Sequence, residues 1–404
     1  MPAPFRFCRV GRETERSAVL EALSRHVGRY LSRQEPDPER MHVLYRLLAC
    51  RTAKLGTHLF VCADCDAKIP VYNSCRDRHC PQCLGKAATK WLEGRRERML
   101  STPHFQVVFT LPAELRPVAF DNQALVYALL FRAAASVLQD LAAQRLDARL
   151  GVLAVLHTWT DELSFHPHLH CLVTAGGLRH DDDRWASTGE DYLFPQRVMG
   201  AMFRGRFLEG LINAFERGEL ELRGDPTEAA KAFRSMLRAL SKRHARWVVH
   251  VEPPKGRPVE HIVKYLARYV KRVAISDARI IEVTDTHVTF RTRDGVTTLE
   301  GPEFVRRFLL HVLPKQFRKV RYYGLYAPGN AKVRLETARG FLPERVADDD
   351  AVKSNADAAT TNVLDEEPEA ESLPRECCPV CGSTNVYRLF FLGRGVVRSS
   401  GAPP

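Results

Sequence analysis

No apolar run in this sequence approaches the ~18–20 residues that a bilayer-spanning helix needs, which argues against a membrane-embedded chain. The stretch from Met1 to Arg16 carries charges but no apolar segment follows it, so a secretory leader is not expected. No segment repeats, which excludes a solenoid or propeller array. Acidic residues are in deficit: 48 Asp and Glu stand against 60 Lys and Arg, a formal net charge of +12. A basic surplus of that size points to a polyanionic partner, of which nucleic acid is the commonest. With neither a membrane span nor a leader expected, the 404-residue chain is expected in a reducing cytosol, where cysteines are not expected to form disulfides. Hydrophobic residues make up 45% of it, enough for the cores of two domains.

What is present divides the chain into three parts. Residues 1–100 read as a helical and cysteine-rich domain, 101–343 as a mixed helix and strand domain, and 344–404 as an acidic linker with a small CxxC tail. Apolar spacing of three and four predicts helix over 13–50, and a charged helix follows over 91–98. Strands are expected at 105–111, 152–159, 168–174, 246–251, 279–284, 287–292 and 296–299, with a hairpin turn at Asp294-Gly295. Helices are expected at 121–147, 196–217, 227–243 and 259–272. Past residue 344 the runs Asp348-Asp349-Asp350 and Asp365-Glu366-Glu367 sit among small polar residues, as in a disordered linker.

Six of the eleven cysteines fall between Cys50 and Cys83. In a reducing compartment such clustering indicates metal. Cys62-x-x-Cys65 and Cys80-x-x-Cys83 are two knuckles with fourteen residues between them, close to the spacing that closes a tetrahedral zinc site. Cys75 and His79 lie inside the interval as alternate ligands, and Cys50 and His58 are further candidates. Four closed ligands make the zinc structural. Arg76 and Arg78, with Lys86, Lys90, Arg95 and Arg96, suggest a phosphate-contacting surface. Cys378-x-x-Cys381 is half a knuckle, with Cys377 beside it.

In His166-Pro167-His168-Leu169-His170 the alternation of a strand turns His168 and His170 to one face. Two imidazoles so placed can clamp a divalent ion. His157 lies on the preceding strand, and hairpin pairing would bring it alongside as third ligand. His166 has the right parity but precedes Pro167, which is expected to mark the start of the strand.

Tyr265 and Tyr269 are four apart on a predicted helix and share a face. Lys264, Arg268, Lys271 and Arg272 surround them with positive charge. Tyrosine pairs at this spacing are commonly core, but core helices are seldom this basic. A tyrosine hydroxyl can attack a phosphodiester and conserve its bond energy in a phosphotyrosine, and a histidine-held metal can polarise the phosphate.

These motifs, in this order, resemble a known family. Asn73-Ser74-Cys75-Arg76-Asp77-Arg78-His79-Cys80-Pro81-Gln82-Cys83 is similar to the zinc motif of bacterial transposases named after insertion sequence ninety-one. Leu156-His157-Thr158-Trp159 with Pro167-His168-Leu169-His170-Cys171 resembles their His-hydrophobic-His (HUH) region. Tyr265-Leu266-Ala267-Arg268-Tyr269 with Arg272-Val273-Ala274-Ile275-Ser276 resembles their two-tyrosine motif, and segments 304–314 and 321–324 resemble a further block. The resemblance covers about 40–330. It implies an α+β fold: an HUH-endonuclease-like antiparallel sheet flanked by helices, preceded by a small helical and zinc-knuckle domain. It implies Zn2+ as structural ion, Mg2+ or Mn2+ at His168 and His170, and Tyr265 and Tyr269 as nucleophiles. It further implies rolling-circle transposition on single-stranded element ends and target DNA, in a bacterial, nucleoid-associated setting without membrane. Competing readings are a non-catalytic zinc DNA-binding protein and a replication initiator or relaxase of the same chemistry. A tyrosine recombinase is disfavoured, because no dispersed arginines frame a single tyrosine.

Overall fold

The computed structural model describes residues 17–83, 98–181, 184–189, 191–242, 247–254, 274–329, 331–343 and 377–392. The expected helix at 259–272, the four basic residues on it and the charged segment 91–97 lie outside them. The chain divides into two compact units, each assembled from separated segments: Met1–Lys86 with Ile275–Val312 and Thr360–Pro404, and Ala87–Ala274 with Leu313–Ala359.

In the first unit, the helix Ala18–Leu31 is capped by the Ser17 hydroxyl, which accepts from the Leu20 N–H at 3.4 Å and donates to Asp277 at 2.5 Å. Its buried residues Val19, Leu20, Leu23 and Tyr30 recur at helical spacing and face the helix Gly301–Leu309, which contributes Phe304, Val305, Phe308 and Leu309. Gly301 sits under the His26 ring, where a Cβ would collide with the imidazole. A second helix, Pro38–Leu48, starts at Asp37 with proline in its first turn. The single helical stretch expected over 13–50 is thus interrupted, because Pro36 and Pro38 cannot continue a helix.

This unit holds two small antiparallel sheets. Strands β1 (Thr57–Cys62) and β2 (Lys68–Tyr72) form a hairpin within what the sequence presents as a turn-rich segment, and β12 (Val386–Leu392) pairs with the other edge of β1. Strands β8 (Ile280–Val283), β9 (His287–Thr292) and β10 (Gly295–Glu300) make a meander whose last turn is at Asp294-Gly295, as expected, with Gly295 at φ +141°. Compared with the sequence division at 100 and 343, segment 275–312 lies with the N-terminal unit, and 377–392 is a strand-bearing part of the same unit. The reason is packing: Gly301–Leu309 supplies the apolar face that Ala18–Leu31 needs.

The second unit is built on an antiparallel sheet in the order β11-β4-β5-β3-β7, with β6 (Trp185–Ser187) added to one end of β5. Its strands are β3 (His104–Thr110), β4 (Ala148–Trp159), β5 (Phe165–Arg179), β7 (Val249–Glu252) and β11 (Val320–Gly324). Long helices Gln123–Leu146 and Gln196–Glu216 pack against each other and onto this sheet. Phe109 of β3 meets Phe203 with ring centroids 5.1 Å apart, and Trp247 closes on Phe203 at 5.5 Å. The expected mixed α+β architecture, antiparallel sheets flanked by helices, is what the chain forms.

Two expectations are corrected here. Pro167 does not begin β5, which starts at Phe165; the β4–β5 register shifts between His157 and Trp159, where a residue without an N–H is tolerated. The helix Gln123–Leu146 is, by length and composition alone, apolar enough to span a bilayer. Its Val126, Tyr127, Leu130, Phe131, Val137, Leu138 and Leu141 are instead buried within the unit, as in a core helix.

Candidate active site and zinc module

The β4–β5 register puts His157 directly opposite His168 and Val155 opposite His170, so the three histidines share one sheet face. Their ring centroids are 4.2 Å apart for His157 and His170, 5.0 Å for His168 and His170, and 5.2 Å for His157 and His168. One ring nitrogen from each lies within 4.8 Å of the others, a reach that fits a shared metal ion. Along β5 the neighbours Phe165, Pro167, Leu169 and Cys171 are buried, while His166, His168 and His170 are only half-buried. The alternation of a strand therefore gives the sheet a packed face and a face bearing the imidazoles.

Local contacts orient these rings. The carbonyl of His166 can only accept, so His168 Nδ1 donates to it at 2.7 Å, and Nε2 is left to act as a ligand. The bulge after His157 brings Trp159 into stacking contact, 4.9 Å between ring centroids. Lys319, just before β11, places its ammonium 4.8 Å from the Trp159 ring. His166 stands apart: Arg116 donates to its Nδ1 at 2.8 Å, and it is not one of the clustered three. His250 was not singled out in the sequence, yet it lies opposite Val108 on β7 as His170 does on β5, so it shares the histidine face. Lys319 and His250 come from segments far off in sequence, and no local signal marks them.

Burial drives His168 down to about 4 and His170 to about 3, and holds His157 well below its ordinary value; neighbouring imidazoles act in the same direction on His157 and His170. All three are neutral near physiological pH, the form that binds metal. Because their folded values lie below the unfolded value of 6.5, their neutral forms favour the fold above that pH, and protonation of the unfolded chain erodes stability as pH falls. Metal-free protein is therefore expected to melt at progressively lower temperature between pH 6.5 and about 4, with a shallower fall in H168Q/H170Q. Identical slopes in calorimetry of the two proteins would contradict this.

The cysteines do not assemble as one pair of knuckles. Cys80 and Cys83 join Cys50 and Cys75, while Cys62 and Cys65 lie with Cys378 and Cys381. In the first group Cys83 Sγ is 3.6 Å from the sulfurs of Cys50 and Cys75, and Cys80 is 3.6 Å from Cys50. A tetrahedron with zinc–sulfur arms of ~2.3 Å has edges of about 3.8 Å, whereas a disulfide is ~2.05 Å. Sulfur-to-sulfur hydrogen bonds hold Cys83 low and Cys50 at about 7, and push Cys75 and Cys80 up. Four thiols in such contact cannot all ionise without a cation among them. Backbone N–H groups of Cys75 and Asp77 point at sulfurs, at 3.5 and 3.4 Å.

His79 is not a ligand here. It is buried and donates from Nδ1 to Asp77 at 2.8 Å, and Asp77 also accepts from its backbone N–H at 2.9 Å. His58 lies on β1 against Phe60, outside both groups. Arg76 is exposed on the knuckle with φ +52°, and Arg78 is half-buried beside it. Tyr265, Tyr269, Lys264, Arg268, Lys271 and Arg272 lie outside the described residues.

Two stretches of the chain match known families. Residues 151–334, which hold the histidine strands, match the family described as "Putative transposase", and residues 22–111 match "Transposase zinc-binding domain". A "Putative transposase y4qJ" of Sinorhizobium fredii is 43% identical over 311 residues, covering 74% of this chain and 77% of that protein. The "Transposase for insertion sequence element IS801" of Pseudomonas savastanoi pv. phaseolicola is 31% identical over 304 residues, covering 70% and 69%. No solved structure matches the chain.

Proposed function

Because this chain belongs to the IS91/IS801 family of transposases, DNA-cleaving enzymes with a zinc-binding domain, we propose that it cuts and rejoins single-stranded DNA at the ends of a mobile element through phosphotyrosine intermediates. The observation that carries this reading is the cluster of three neutral imidazoles on one sheet face. In sequence, the two-tyrosine segment comes after β7, which among the described residues is an edge strand of the same sheet.

His157, His168 and His170 hold a divalent ion in this proposal. Their donor set fits one: three neutral imidazoles converge on one point, and His168 is fixed in the tautomer a ligand requires. Nitrogen donors suit Mn2+ better than Mg2+, which prefers oxygen. The bound ion supplies Lewis-acid polarisation of the scissile phosphate. The phenol oxygen of Tyr265 or Tyr269 attacks phosphorus, the bond to the 3′ oxygen breaks, and a free 3′-hydroxyl leaves. The linkage stores the bond energy, so rejoining is the reverse attack and needs no nucleotide cofactor. A second tyrosine allows a second cleavage while the first joint is intact, as rolling-circle transfer requires. Lys264, Arg268, Lys271 and Arg272 steady the DNA backbone around the nucleophiles, and Arg76 and Arg78 contact phosphates from the zinc module. The catalytic work falls within 101–274 and 313–343.

The test is a denaturing gel of labelled single-stranded element ends incubated with protein. A protein-linked band is expected with Mn2+, weaker with Mg2+ and absent in EDTA. In H168A/H170A its rate is expected to fall roughly a thousandfold, because Lewis-acid stabilisation is worth several kcal/mol and each ~1.4 kcal/mol is tenfold. A band of equal yield in EDTA and in H168A/H170A would remove the metal from the reading. Tight binding without any band would favour a DNA-binding regulator.

A further inference from the structure

We propose that Cys62, Cys65, Cys378 and Cys381 form a second four-sulfur zinc centre, which fastens the C-terminal segment to the first hairpin of the same chain. Cys62 Sγ is 3.6 Å from Cys381 Sγ, and Cys65 Sγ is 3.6 Å from Cys378 Sγ, the separation seen in the first cysteine group. All four sulfurs lie within 4.8 Å of one another. Cys378 and Cys381 fall outside both segments that match known families, so nothing in those matches assigns them.

The backbone around the two knuckles is built alike. The N–H of Asp66 donates to the carbonyl of Cys62 at 2.9 Å, and the N–H of Gly382 donates to the carbonyl of Cys378 at 2.8 Å. The N–H of Cys62 reaches the carbonyl of Ala67 at 3.1 Å, and that of Cys378 reaches Ser383 at 2.6 Å. The residue after the second cysteine is left-handed in both: Asp66 at φ +55° and Gly382 at φ +75°. Each turn aims its pair of thiols inward, as paired zinc knuckles do. The two turns, far apart in the sequence, thus share one local geometry.

Further contacts tie the turns together. The Ala63 N–H donates to the Asn385 carbonyl at 2.9 Å, and Asp64 accepts from the Asn385 side-chain amide at 3.2 Å and from the Ser383 hydroxyl. Strand β12 then pairs along the whole of β1, from Cys62 opposite Val386 to Thr57 opposite Leu392. Among the described residues, Phe60, Cys62, Ile69 and Cys378 form a buried cluster in this sheet, with Ala67, Val71 and Val386 packed against it. Small sheets of this kind are commonly fastened by a structural metal. The chain between the two knuckles includes the acidic stretch, so the centre would close a very long loop. Closure of that kind constrains the unfolded chain more than a short clip does.

The test counts metal in the full chain. Zinc measured by mass spectrometry is expected at two per chain in the wild type and one in C378S/C381S. C377S, altered beside the knuckle at a residue outside the cluster, is expected to keep two. One zinc in the wild type, or two in C378S/C381S, would overturn the proposal. A second measurement needs no cysteine variant. With a protease site inserted near residue 360 and then cut, the C-terminal piece is expected to stay with the rest through gel filtration and to leave on zinc chelation. Separation before any chelator is added would equally overturn it.

Discussion

A chain carrying Tyr265→Phe and Tyr269→Phe together is expected to give no covalent DNA adduct at all, while binding the same single strand as tightly as the wild type. The loss should be complete because the phenol oxygen is the atom that bonds to phosphorus. A phenylalanine keeps the ring and its packing but offers no nucleophile, and water cannot produce a protein-linked product. Spacing of four on a helix makes the two hydroxyls near-equivalent, so each single variant is expected to retain part of the adduct. The singles should separate from the wild type at the next step. With one hydroxyl left, a second cleavage must wait until the first joint is resolved, so the joined product is expected to collapse while the first nick survives. Gels of labelled strands, read alongside fluorescence anisotropy, check both halves. A covalent band in the double variant would end the nucleophile assignment; a double variant that also lost binding would place the tyrosines in DNA recognition.

The histidine site was legible because a strand has a period of two and a hairpin has a register. His168 and His170 had to share a face, and His157 could join them only if β4 and β5 pair, which they do. The limits of β5 were not legible, since Pro167 reads as a strand start and only the bulge near His157 lets it sit inside one. The three-stranded meander, with its turn at Asp294-Gly295, was read closely because alternation and turn chemistry are both local signals. The destination of that meander was not, because its attachment to the first unit depends on the helix Gly301–Leu309 meeting Ala18–Leu31, a contact between distant segments. Strand β12 was hidden for the same reason. Its partner, β1, precedes it by more than three hundred residues, and composition suggested only a tail.

The cysteines show the same limit more sharply. Spacing made Cys62-x-x-Cys65 and Cys80-x-x-Cys83 look like the two halves of one site. Spacing, however, cannot distinguish adjacent knuckles that share an ion from adjacent knuckles that each take a partner elsewhere. Arg46, donating to the Cys75 carbonyl, and Asp77, braced by His79, hold Cys75 against Cys83. The hairpin β1–β2 carries Cys62 and Cys65 away toward β12. Cys50 and Cys75, which the sequence offered only as candidates, complete the first group.

Extraction of zinc from both cysteine groups is expected to unfold the segment 57–83 while the two helices Ala18–Leu31 and Gly301–Leu309 stay folded. Structural zinc contributes about 10–16 kcal/mol to small zinc folds, as much as or more than the ~5–15 kcal/mol that stabilises a whole domain. The residues between Cys50 and Cys83 have little else to fold on: Phe60, Val61 and Ile69 are the buried apolar side chains there apart from cysteine. Cys75 and Cys80 are almost fully buried, at 2% and 0% exposure, so thiolates left without a cation would have to take up protons and separate. By contrast Ala18–Leu31 and Gly301–Leu309 bury apolar residues along their lengths and pack against each other and against strands of the β8–β10 meander. Amide exchange after chelation should therefore show loss of protection of at least about a thousandfold over 57–83, equivalent to ~4 kcal/mol, with protection retained in those two helices. Cys80→Ser should reproduce the loss over 73–83 without a chelator, while the second cysteine group keeps 57–72 protected. Full protection of 57–83 in protein shown by metal analysis to hold no zinc would mean that the segment folds on its own contacts. If the pattern holds, DNA affinity should fall with it, since Arg76 and Arg78 ride on the knuckle that the metal shapes.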